Sequence, residues 1–155
     1  MYCRVGRLQI LGNFKSLESL VLLLLTIQQC INGTLSYNGQ RCTAIKVIYV
    51  HKNVKDEFLK SFNKKVDALK IKNPDQKDAF ITPLPDPNQP KYLKELIDDA
   101  CQKGAEVINN KGGEIGDNFV FPTVLFPVNN DMRVFHEEQL GCPVNRTCLL
   151  YTSPS

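Results

Sequence analysis

The 155-residue chain has only two histidines, His51 and His136, and its six cysteines, at 3, 30, 42, 101, 142 and 148, include no C-x-x-C pair. Zinc sites draw on closely spaced cysteines and histidines, so no metal site is expected. No apolar run reaches the ~20 residues that a membrane-spanning helix needs. The longest, Leu20-Val-Leu-Leu-Leu-Leu-Thr-Ile27, follows Lys15 and Glu18 and reads as a buried helix rather than a membrane span. Arg4 and Arg7 could open a signal peptide, but Gln28-Gln29-Cys30 lacks the small residues of a cleavage site. A net charge of +3, spread evenly, excludes a nucleic-acid partner; Lys64-Lys65, Lys70 and Lys72 read as a solvated face. Gly112, Gly113 and Gly116 do not stand between a strand and a helix at the spacing of a dinucleotide loop, and predict a hairpin tip. No internal repeat is present.

What remains is ordinary globular material, 43% apolar and 23% charged, enough for one domain with its own core. The dispersed cysteines fit reduced thiols and a cytoplasmic location, in which the acceptor patterns at Asn32 and Asn145 are chance matches. Residues 1–13 show no clean period. Phe14 to Ile31 predicts a buried helix stopping at Asn32-Gly33, and Thr43 to Val50 a strand. Val54, Phe58, Phe62, Val66 and Leu69 recur at helical spacing behind Asn53 as N-cap. The proline-rich stretch from Lys72 to Pro90 is a loop. A third helix after Pro90 closes at Lys103-Gly104, Ala105 to Asn109 is a short strand, and Phe119 to Phe126 gives one or two strands interrupted by Pro122. Alternating helices and strands predict an α/β layer structure with several parallel strands.

One loop carries candidate chemistry. Ser36-Tyr-Asn-Gly-Gln-Arg-Cys-Thr-Ala44 is small and polar, and it runs straight into the β-branched Ile45-Lys-Val-Ile-Tyr-Val50. A cysteine on a loop at the lip of a strand is held by a rigid element yet reachable, as a nucleophile must be. The other reading of Cys42 is a small buried hydrophobe.

Three motifs in fixed order extend this: "GQRCTA" at 39–44, "ITPL" at 81–84 after "KNPD", and "DMRVFHEEQLG" at 131–141. Together they resemble the aldehyde dehydrogenase superfamily, and within it the NADP-dependent, non-phosphorylating glyceraldehyde-3-phosphate dehydrogenases, from about Ile31 to Val144. The resemblance implies an α/β fold, part of a catalytic domain with a mostly parallel sheet flanked by helices. It implies oxidation of an aldehyde, glyceraldehyde 3-phosphate to 3-phosphoglycerate in that branch, through a thioester on Cys42 with hydride passing to NADP or NAD. Arg41, just before the nucleophile, resembles a substrate-phosphate ligand, since a guanidinium fork suits phosphate oxygens; the other reading is that it lowers the thiol pKa or sits in solvent. Glu138 matches the glutamate that contacts the nicotinamide ribose, and its acidic neighbour Glu137 is expected to be solvated. Leu140 stands at the nicotinamide-packing position where the family has Phe, and Cys142 separates a glycine and proline that the family keeps adjacent.

The same resemblance divides the chain. Residues 1–30 form an atypical N-terminal segment with an apolar helix, 31–144 a partial catalytic domain, and 145–155, ending "CLLYTSPS", a foreign tail to be set aside from the fold. The family's dinucleotide-binding domain, general-base glutamate and side-chain oxyanion donor have no counterpart here, so the chain is expected to be an inactive fragment of an enzyme whose full-length relatives are homo-oligomers. The partner expected is a small-molecule aldehyde, not nucleic acid or membrane. The alternative is a non-catalytic homologue with only a binding role. A cysteine hydrolase pairing Cys42 with His51 or His136 is a third reading, lacking a motif to orient either histidine.

Overall fold

Ile45–Val50 is apolar at almost every position, the pattern of a strand covered on both faces. In the computed structural model, which describes residues 6–10, 17–39, 44–116, 118–137 and 148–152, that is its situation. The strand, β2, alternates between two hydrophobic clusters. Ile48 and Val50 enter one with Leu23, Ile27, Phe58, Phe62 and Val66; Val47 enters the other with Leu93, Leu96, Met132 and Phe135. Val124 and Leu125 of a later strand divide the same way.

The elements are β1 (Gly6–Ile10), α1 (Leu17–Leu35), a 3-10 turn (Ser36–Gly39), β2, α2 (Lys55–Asp67), α3 (Gln89–Gln102), β3 (Glu106–Val107), β4 (Val124–Phe126), α4 (Arg133–His136) and β5 (Cys148–Thr152). The sheet runs β1-β2-β5-β4-β3. The β1/β2, β2/β5 and β4/β5 pairs are parallel and β3/β4 is antiparallel. Helices α1 and α2 supply the cluster on one face, and α3 and α4 that on the other, which bears out the expected α/β class with a mostly parallel sheet.

Several expectations change. The tail set aside from the fold contains β5, which lies between β2 and β4; strand pairing, which a weakly patterned segment does not reveal, gives it that place. The uninformative start contains β1, paired with β2. Helix α1 does not stop at Asn32-Gly33 but continues to Leu35. Gly33 is instead where the helix approaches β2: a Cβ there would lie 2.6 Å from Ile45 Cδ1. Nor is α1 buried all round. Leu23, Ile27, Ile31 and Leu35 pack inward, whereas Leu20, Val21, Leu22, Leu24 and Leu25 are exposed. By length and composition alone, Leu20–Gly39 could cross a membrane, a wider window than the leucine run considered by itself. Helix α2 is capped by Val54 rather than Asn53, without a side-chain bond; its Phe58 and Phe62 rings stack 5.4 Å apart.

The glycine segment is a hairpin tip as expected. Gly116 N–H donates to Phe119 O at 2.9 Å, Phe121 N–H donates to Glu114 O at 2.9 Å, and Ile115 bridges Val120 antiparallel.

Candidate active site

Two described ends bracket the cysteine loop. On one side α1 gives way to Ser36–Gly39; on the other Ala44, buried, leads into β2. Gln40, Arg41, Cys42 and Thr43 themselves lie outside the described residues. The approach to them is unusual. Tyr37, Asn38 and Gly39 all have positive φ, 55°, 54° and 68°. The left-handed region suits Gly and is tolerated by Asn, but costs a residue such as Tyr about 1–2 kcal/mol, so tertiary contacts must hold it there.

Asn38 supplies them. Its side chain, only 5% exposed, donates from Nδ2 to Thr82 O at 3.0 Å and to Thr82 Oγ1 at 2.8 Å, and its Oδ1 accepts from Thr82 N–H at 2.9 Å. Thr82 is itself well anchored. The preceding residue, Ile81, is fully buried and bridges Ile71, and its carbonyl accepts from Lys72 N–H at 3.0 Å. The "SYNG" and "ITPL" motifs, 44 residues apart, therefore meet through one amide. Beside the contact lies a cleft of about 330 Å³ lined by Ser36, Tyr37, Asn38, Ala79, Phe80 and Thr82. Ser36 Oγ, buried there, has no hydrogen-bond partner among the described residues.

The third motif carries a charged cluster. Glu138 and Leu140 lie outside the described residues, but the helix leading to them is described. Glu137, expected to be solvated, is partly exposed but is also held by hydrogen bonds. Its carboxylate accepts from Arg133 Nε at 2.5 Å and Nη2 at 3.1 Å, and from Tyr92 Oη at 3.0 Å. This fork of charged hydrogen bonds holds the Glu137 carboxyl below its ordinary range, Arg133 contributing most. Asp99, lowered chiefly by its bond to Lys103, accepts the Arg133 backbone N–H at 2.9 Å and so ties α3 to the start of α4. Sequence reasoning missed Asn38 and this cluster. The i,i+4 spacing of Arg133 and Glu137 was a visible signal for the second; the partner of Asn38, 44 residues away, had none.

The other described thiols are poor nucleophiles. Burial pushes the Cys30 thiol up to about 12, and Cys101, exposed, is also raised, by partial burial and then by Asp98; reactive thiols need the opposite. His51 directly follows the C-terminal end of β2, and its ring Nδ1 accepts from Asn53 N–H at 3.3 Å. The His136 ring bonds to the Asn130 carbonyl. In the glycine segment, Gly112 packs against Asn109 and Val107 and Gly116 against Phe119, where a Cβ would collide, whereas Gly113, at a φ of 80°, faces open space.

These features define a class: an α/β layer structure whose parallel strand β2, covered on both faces, directly follows the sequence segment that carries Cys42. The particular family follows from comparison with known proteins. Residues 23–146 match the aldehyde dehydrogenase family, and the chain belongs to it. NADP-dependent glyceraldehyde-3-phosphate dehydrogenase of Apium graveolens is 37% identical over 117 residues, 76% of this chain and 23% of that protein. The enzyme of the same name from Pisum sativum is 36% identical over 111 residues, 72% of this chain and 22% of its own length. The crystal structure of NADP-dependent glyceraldehyde-3-phosphate dehydrogenase from Bacillus halodurans, complexed with NADP, superposes with a TM-score of 0.80 at 32% identity, covering 96% of this chain and 28% of that one. An aldehyde dehydrogenase from Physcomitrella patens, in complex with the reaction product succinate, superposes equally well, with a TM-score of 0.80 at 28% identity over 97% of this chain and 29% of that one. The chain thus spans under a quarter of the length of the two plant relatives.

Proposed function

We propose that the chain is the nucleophile-bearing part of an NADP- or NAD-dependent aldehyde dehydrogenase acting on glyceraldehyde 3-phosphate in the cytoplasm. The observation that carries this reading is the family match through residues 23–146, which contains Cys42 and is shared with relatives named for that reaction. The Cys42 thiolate adds to the aldehyde carbon: a sulfur–carbon bond forms, the carbonyl π pair moves to oxygen, and backbone N–H groups stabilise the oxyanion. The nicotinamide cofactor, when bound, supplies the hydride acceptor that oxidises this adduct to a thioester. Water then breaks the sulfur–carbon bond, releasing 3-phosphoglycerate and returning the thiolate to Cys42. Arg41 pairs with the substrate phosphate, two N–H donors against two oxygens. Glu138 would hold the cofactor through its ribose hydroxyls, as their acceptor, and Leu140 would supply apolar contact for the nicotinamide.

An activated ester tests the nucleophile without any cofactor. Treated with p-nitrophenyl acetate, the purified chain is expected to release nitrophenol in a burst and to carry acetyl on the peptide containing Cys42. Cys42→Ala should abolish the burst and Cys101→Ser should leave it. Acetylation of Cys101 in preference to Cys42 would refute the assignment.

A further inference from the structure

The residue that stands out beyond the nucleophile and its ligands is Asn38, four positions before Cys42. Three observations converge on it. Its backbone is left-handed, the middle of three consecutive positive-φ residues. Its amide is almost fully buried and spends both its donor and acceptor on Thr82 alone. Thr82 follows a core residue, Ile81, whose bridge to Ile71 ties it to the chain leaving α2. A turn of this kind does not hold itself: a left-handed Tyr-Asn pair would relax unless something fixed outlasts its strain. The turn that precedes residue 40 is therefore tied, through the Asn38 side chain, to the hydrophobic core behind Thr82.

We propose that Asn38 is a positioning residue for Cys42, and that the Asn38–Thr82 clasp fixes the direction from which the loop presents the thiolate. This rests on the reading of Cys42 as nucleophile. The chemistry calls for such a device, because small displacements of a reacting group cost large factors in rate. Ala44, buried, restrains the loop from the strand side, and the clasp restrains it from the other.

The chain carries its own controls, since Cys30 is buried and Cys101 exposed. Iodoacetamide alkylation of the 155-residue chain, followed peptide by peptide across pH, reports all three thiols in one experiment. Asn38→Gly removes the amide yet keeps a residue at ease with positive φ. It is expected to lower the alkylation rate of Cys42 relative to Cys101 about tenfold at neutral pH and to move the Cys42 profile to higher pH, while Cys30 stays protected. Thr82→Val, which removes only the Oγ1 acceptor, should have a smaller effect in the same direction, and Thr82→Ser should restore wild-type behaviour. An unchanged Cys42 profile, a faster Cys42, or simultaneous exposure of Cys30 would each overturn the proposal, the last by showing that Asn38 merely holds the fold. The ratio of Cys42 to Cys101 in the unmodified chain separately tests the nucleophile reading, so the two cannot fail indistinguishably.

Discussion

Val47 of β2 and Leu125 of β4 are both in register with one residue, Leu149 of β5, the strand that lies between them in the sheet. The strand contributing Leu149 belongs to the segment whose sequence looks least like part of a domain.

Deleting Cys148–Ser155 is therefore expected to lower the thermal midpoint by about 10 °C or more, since the parallel ladders on both sides of β5 would be lost and ~1 kcal/mol corresponds to about 2–4 °C in a chain of this size. Thermal unfolding followed by circular dichroism checks this. A midpoint unchanged by the deletion would return these residues to the status of a passive tail.

The chain alone is expected to make no NADPH from glyceraldehyde 3-phosphate. It spans 23% of the length of its Apium relative, and its sequence carries no glycine fingerprint between a strand and a helix ahead of Cys42. Absorbance at the reduced-nicotinamide band, with the intact relative as positive control, settles the matter; formation of NADPH by the isolated chain would contradict it.

For Arg41, the expected signature is substrate dependence. With this segment placed in an intact relative, Arg41→Ala should lower kcat/KM for glyceraldehyde 3-phosphate by ~10²-fold, the loss of a charge-assisted pair worth about 1.5–3 kcal/mol. An aldehyde without phosphate should be nearly unaffected. Equal losses on both would assign Arg41 to lowering the thiol pKa instead.

The Glu137 fork predicts a pH dependence whose sign follows from its cause. Because Arg133 and Tyr92 hold the folded carboxyl below its ordinary range, its contribution is present above the usual carboxylate pKa and is lost as pH falls through the lower, folded value. Glu137→Gln should be less stable than the parent near neutrality, by a small amount because the pair is partly exposed. The two melting curves should converge in acid. A gap between them that stays constant from neutral to acidic pH would show that the carboxylate charge plays no part.

Much of this protein is legible in its linear pattern, and the reason is local. The 3.6-residue period of Phe58, Phe62 and Val66 marks α2 because one helix face must meet a core. The β-branched run marks β2, and the Lys103-Gly104 ending marks the close of α3, where Gly104 takes a φ of 96°. The order of the three motifs was enough to indicate the family; the roles of Cys42, Arg41, Glu138 and Leu140 are proposed on that ground.

What only the tertiary structure decided depends on residues distant in sequence. A glycine reading as a helix stop at position 33 became a point of close approach to Ile45, because packing of Leu35 outweighs one weak propensity. Glu137, one acid among two in a motif, acquired partners from α3 and α4 that no short-range rule pairs in full. Asn38 reads as an ordinary turn residue until Thr82 is beside it. Likewise β1 and β5 carry too little periodicity to announce themselves and become strands through the backbone hydrogen bonds that β2 and β4 offer, since a ladder is satisfied by backbone atoms that every sequence possesses.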